Sequence, residues 1–120
     1  MSTIVQVLVA LVAALHVFFF VLEALLWKSP TGRRVFGTTR EFAAQTAALA
    51  ANQGLYNLFL AAGLVWSLML EPVMGWSVAT FFLGCVIVAG IFGALTVNPR
   101  IFLIQGVPAV LALVVGMSGH

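Results

Sequence analysis

The chain has 120 residues, 63% of them hydrophobic and only 7% charged, with five Lys+Arg against three Asp+Glu. A soluble domain of this size carries roughly a quarter charged residues, because so much of it faces water. A mean hydropathy of +1.20 excludes that class, and lipid is the expected solvent. Five bases and a pI near 9.3 do not make a phosphate-binding face, so no nucleic-acid partner is expected. Cys85 is the single cysteine, which rules out an intrachain disulfide.

A helix needs about 20 apolar residues to cross the hydrocarbon. The pattern predicts four such helices in one all-α domain filling residues 1–120, an up-down bundle of transmembrane spans. The first runs from about Ile4 to Trp27. It is longer than a signal-peptide core and is followed, not preceded, by positive charge, as expected of a retained anchor. A polar loop, Lys28 to Glu41, holds Pro30, Gly32 and Gly37. The second span runs from about Phe42 to Leu70 and is expected to end at Glu71-Pro72, since a proline disfavours the helical conformation in the residue before it. The third covers about Trp76 to Val97. Asn98-Pro99-Arg100 reads as a three-residue turn, and the fourth fills Ile101 to about Met117.

The bases sort cleanly by loop. Lys28, Arg33, Arg34 and Arg40 lie between spans one and two, and Arg100 lies between spans three and four. In a serpentine of four helices these loops share a side, and the opposite side carries no lysine or arginine. Positive charge marks the cytoplasm, so both termini are expected outside a bacterial inner membrane. Trp27 at the inner border, and Trp66 and Trp76 towards the outer one, fit aromatic belts.

Polar side chains inside a span are costly unless they face protein or water, so they are the candidates for function. Span one carries His16 and Glu23. Seven residues apart on a helix, they share a face about 10 Å from one another, and Phe20 and Trp27 extend that stripe. Glu23 is either a proton or cation site, or it reaches the interface and pairs with Arg33, Arg34 or Arg40. His16 is either a ligand-binding or acid-base group, or a neutral imidazole bonded to a neighbouring helix. Span two holds Asn52-Gln53-Gly54-Leu55-Tyr56-Asn57, with Gln45 upstream. Asn52, Gln53 and Tyr56 fall on one helical face, with Asn57 near its edge. Amides in hydrocarbon bond helices together, but four polar residues so close suggest a lined cavity. In span four, Pro108 cannot donate a hydrogen bond and clashes with the carbonyl of Ile104, which predicts a kink beside Gln105. Span three, with Thr80 and Thr96, reads as packing. Ala89/Gly93 and Gly90/Ala94 give small-xxx-small spacing that suits close helix contact, including a homodimer. The economical arrangement is one polar pocket open to the cytoplasm and floored by His16. His16 and the terminal His120 do not make a metal or bis-histidine haem site, and no phosphate loop or nucleophile elbow is present. No cofactor or metal is therefore expected.

His16-x6-Glu23-x3-Trp27, the run Ala51-Asn52-Gln53-Gly54-Leu55-Tyr56-Asn57, Ala89-Gly90-x2-Gly93-Ala94-x-Thr96 and Gln105-Gly106-x-Pro108-Ala109 together resemble domain-of-unknown-function family 1304. Its members are small bacterial and fungal integral membrane proteins. The resemblance covers nearly the whole chain and implies the four-helix fold, with the polar residues as part of the family pattern. It implies no activity.

Three functions are compatible with these residues. One is binding or proton-coupled transport of a small organic molecule at His16, Glu23, Trp27, Asn52, Gln53, Tyr56, Asn57 and Gln105. That plan resembles the small multidrug exporters in architecture, with Glu23 as the switch and Trp27 and Tyr56 as aromatic walls. The second is an intramembrane enzyme, isomerase-like, using His16 and Glu23 as acid and base on a lipophilic substrate. The third is an accessory subunit of a larger membrane protein. The first is the expected one.

Overall fold

The computed structural model describes residues 1–119, all helix and short connections. His120, discounted above as a metal ligand, lies outside the described residues. Helix α1 spans Thr3–Phe20 and continues into a π-helical turn, Val21–Leu25. Helices α2 (Pro30–Phe36), α3 (Arg40–Met69) and α4 (Pro72–Thr96) follow. A short α5 (Pro99–Ile101) leads through a second π turn, Phe102–Gly106, into α6 (Val107–Gly119). The four expected apolar helices are present: Thr3–Leu25, Arg40–Met69, Pro72–Thr96 and Pro99–Gly119 are each long and apolar enough to cross a membrane.

Helix ends are set by side chains the pattern can explain. The Glu71 carboxylate caps α4, accepting hydrogen bonds from Met74 N (2.6 Å) and Val73 N (3.2 Å), with Pro72 in the first turn. That combination starts the helix about a turn earlier than its apolar run does. Thr39 Oγ1 accepts from Phe42 N (3.1 Å) at the start of α3.

Two expectations of the sequence need correcting. The segment expected as a polar loop from Lys28 to Glu41 contains α2. Ser29 Oγ accepts from Gly32 N (3.1 Å) at its start, Pro30 fills its first position, and Gly37 closes it in the left-handed region (φ 67°). A cap, a first-turn proline and a C-terminal glycine are complete helix punctuation around so short a run. Asn98-Pro99-Arg100 is not a free turn but a helix start, because Asn98 Oδ1 accepts from Arg100 N (2.9 Å). Pro108 follows a second disturbance of the helical ladder. The turn before it widens so that Val107 N donates to Phe102 O, five residues back. An i→i+5 turn is a known way for a helix to absorb a break in its ladder.

The chain divides into two compact units. The first comprises Met1–Leu15 and the chain from Leu60 onward. Its apolar core comprises Val5, Val9, Val12 and Ala13 of α1, Leu64 of α3, Ala79, Leu83 and Val86 of α4, and Ala109 and Ala112 of α6. Small residues let large ones in. A Cβ on Gly63 or Gly116 would overlap the ring of Phe82 or Trp76. At Gly90 it would lie 3.2 Å from both Cα and N of Gly106, so α4 and the second π turn meet nearly backbone to backbone. Between helices in lipid, whose tails are as apolar as these side chains, close contact rather than exclusion from water supplies cohesion. The second unit, His16–Phe59, contains the end of α1, the first π turn, α2 and most of α3. Its inward residues on α3 are Ala43, Ala50, Gly54 and Asn57.

Candidate functional site

The polar centre of the second unit is a pair between helices. Asn57 Nδ2, from α3, donates a hydrogen bond to Glu23 Oε1 in the first π turn. The sequence sets this up in two ways. Gly54 sits one turn before Asn57 on the buried side of α3. A Cβ there would stand 3.1 Å from Ala24 N and 3.2 Å from Glu23 Cβ, tighter than side chains normally pack. Glycine therefore lets α3 come close enough for the short Asn57 side chain to reach the carboxyl. The π turn supplies the second part. Leu26 N donates to Val21 O (3.0 Å), five residues back, and Glu23 lies at the middle of that widened loop. π turns are rare and concentrate at functional positions.

One turn further along, Trp27 Nε1 donates to Thr46 Oγ1 (3.1 Å), and the indole lies against Phe36 of α2 with ring centroids 4.8 Å apart. Gly32 closes this end, because a Cβ there would overlap the carbonyl of Leu26. The result is a half-buried carboxyl held by a buried amide, with an indole anchored at the helix end. Asn57 is 4% exposed. Among the described residues no salt bridge joins Glu23 to Arg33, Arg34 or Arg40, and its partner is the neutral amide. Such an arrangement can accept a proton or pair with a ligand cation, since the Asn57 N–H can donate to a carboxylate oxygen or, more weakly, to the carbonyl oxygen of the neutral acid.

The expected site residues therefore separate. Glu23, Trp27 and Asn57 come together in one unit. His16 is fully buried in the same unit, its ring edge-on to Phe19 at 5.2 Å. Asn52, Gln53 and Tyr56, expected on a common face with Asn57 at its edge, lie on the exposed side of α3, while Gly54 and Asn57 are buried. The reason is angular: positions 52 and 56 are each two residues from 54, about 200° around the helix. Tyr56 is 54% exposed and packs edge-on to Phe59. Gln105 is buried in the second π turn and belongs to the first unit, as does Thr96. In that unit a shallow apolar depression is lined by Trp66, Ser77, Val78, Phe81 and Phe82, none of them an expected site residue. The small residues expected to serve a homodimer have contacts within the chain. Gly90 meets Gly106, a Cβ on Gly93 would lie 2.8 Å from Ile101 Cγ2, and Ala89 and Ala94 are half-buried beside them.

Sequence reasoning missed Thr46 and the part played by Gly54. A hydroxyl on α3 gives no signal of its own. A glycine inside a run of amides does, because mid-helix glycine is unfavourable unless something approaches closely. Among the described residues no group of three or more His, Cys, Asp or Glu side chains is placed to hold a metal ion.

An all-helical chain with four helices long and apolar enough to cross a membrane suggests a small multi-pass membrane protein. The chain belongs to the family described as "Protein of unknown function (DUF1304)", which matches residues 10–117. It is similar to "Uncharacterized protein YpaA" of Lactococcus lactis subsp. lactis (strain IL1403), at 31% identity over 115 residues, covering 93% of this chain and 96% of that protein. No solved structure matches it significantly.

Proposed function

We propose that this protein binds a small organic molecule, a lipophilic cation in the simplest case, within the cytoplasmic membrane and carries it across in exchange for a proton on Glu23. The observation that supports this reading is the carboxyl of Glu23, set in a π turn of an apolar helix and held by Asn57. A carboxyl in hydrocarbon is tolerated when it is neutral or when it faces a cation, and a group that alternates between those states links proton and ligand. Trp27, one turn away and fixed by Thr46 and Phe36, offers an aromatic face of the kind that attracts cations. His16 is too enclosed to meet a substrate directly, which favours binding over acid-base catalysis.

Orientation belongs to the same proposal. Lys28, Arg33, Arg34, Arg40 and Arg100, all on the two connections of one side, support a reading in which those connections face the cytoplasm and both termini lie outside.

Tetraphenylphosphonium uptake into proteoliposomes, with and without an imposed pH gradient, tests the function. Gradient-driven uptake should occur with the native chain and disappear with Glu23→Gln, which keeps the shape but cannot exchange the proton. Equal binding and flux in the native chain, Glu23→Gln and Asn57→Ala would reject it.

A further inference from the structure

Helix α3 carries two opposed stripes. The inward one holds Ala43, Ala50, Gly54 and Asn57. The outward one holds Gln45, Leu49, Asn52, Tyr56 and Phe59, all exposed and advancing in steps of four, three, four and three residues. That alternation is the seam spacing of helices packed side by side, where a single asparagine on the seam fixes register and partner number. The stripe's composition does not suit lipid. Leu49, Tyr56 and Phe59 are apolar or aromatic, but Asn52 stands among them with Gln53 at its flank. Neither amide forms a hydrogen bond with a described residue.

Depth matters here, on the reading that α3 crosses the membrane. The Trp27–Thr46 bond marks the border where an indole normally sits. Asn52 lies six residues beyond Thr46, about 9 Å further along the axis at 1.5 Å per residue. A side chain as short as asparagine does not span that distance back to headgroups or water. An amide left bare in hydrocarbon is costly, so something polar covers it.

We propose that a second copy of this chain covers it, in a two-fold homodimer packed along Gln45, Leu49, Asn52, Tyr56 and Phe59. The choice of occupant follows from the chemistry of the amide. Each carries both donor and acceptor, and a two-fold axis sets a residue against its own copy, so Asn52 can pair with Asn52. The glycines of α4 that would otherwise suit a dimer already meet Gly106 and Ile101 in their own chain. Glu23 and Asn57 face away from this seam, so dimerisation stands apart from the proposed ligand site.

The test is oxidative cross-linking in native membranes of full-length single-cysteine variants in a Cys85→Ser background. Leu49→Cys and Tyr56→Cys should give disulfide dimers, whereas Val88→Cys and Leu95→Cys on α4 should not. In parallel, energy transfer between labelled chains diluted in liposomes should show Asn52→Leu with Gln53→Leu dimerising roughly tenfold more weakly, as expected for one or two lost interhelical amide bonds. These exposed positions do not enter the packed interior, so the variants should fold. Cross-links confined to α4, equal cross-linking at all four positions, monomers at every dilution, or dimerisation undiminished by the double substitution would overturn the proposal. Glu23→Gln should leave dimerisation unchanged, so failure here and failure of the ligand reading are distinguishable.

Discussion

The two units of this chain solve the same problem, holding apolar helices together, by different means. The first relies on close apolar packing: rings of Phe82 and Trp76 lie over Gly63 and Gly116, and Gly90 meets Gly106. The second spends polar groups between helices, with Asn57 on Glu23 and Trp27 on Thr46. Dry contact depends on shape, and its energy is spread over many atoms. A hydrogen bond in hydrocarbon is concentrated in two side chains, and removing one strands the other. A chain that needed only cohesion could use the first method throughout. The Glu23–Asn57 pair of the second unit is the feature on which the proposed function rests.

Substitutions can break this contrast or sharpen it. The largest effect is expected from Gly90→Leu. It forces a side chain into the Gly106 backbone and should destabilise the first unit by about 3 kcal/mol, at the upper end for overpacking. Unfolding in mixed micelles would measure it, and any ligand bound at Glu23 should be retained wherever the protein still folds. Next comes Asn57→Leu, which leaves the Glu23 carboxyl without its donor and should cost about 2 kcal/mol in the same assay. Gly54→Ala is milder in chemistry but acts on the same pair. Its methyl would stand 3.1 Å from Ala24 N and 3.2 Å from Glu23 Cβ, inside ordinary van der Waals contact, so α3 must retreat by a few tenths of an ångström. A loss of about 1 kcal/mol is expected, and a gain in stability would show that the approach is not tight. The smallest effect belongs to Trp27→Phe, which keeps a ring against Phe36 but drops the bond to Thr46. At a half-buried position that should be worth less than about 1 kcal/mol.

Much of this was legible in the sequence. Long apolar runs are the only way such a chain can satisfy its backbone in lipid, so four helices follow almost from composition. The polar residues inside them are equally visible, Glu23 and Asn57 among them. What the pattern did not give was the division of the amide run into a buried Asn57 and an exposed Asn52, Gln53 and Tyr56. A helix that is apolar nearly all round has no strong polar face to orient it, so its rotation is decided by which residues are small. Ala43, Ala50 and Gly54 decide it here. The π turns were also hidden. Pro108 announced a disturbance in the last span but not its form, and nothing in Val21–Leu25 announces one at all. The helix at Pro30–Phe36 was readable from Ser29, Pro30 and Gly37, and was masked by the polar character of the segment.

The measurement that bears most directly on the central claim is a double-mutant cycle on the carboxyl–amide pair, using Glu23→Leu, Asn57→Leu and their combination, with stability read from unfolding in mixed micelles. If the two side chains are bonded, the Asn57 single variant should be destabilised and the double variant should recover much of that loss. The coupling should be about 1 kcal/mol or more, because two apolar groups replace a matched polar pair. Effects that add to within about 0.3 kcal/mol would mean that Glu23 and Asn57 do not act together, and the site would dissolve into two unrelated polar residues.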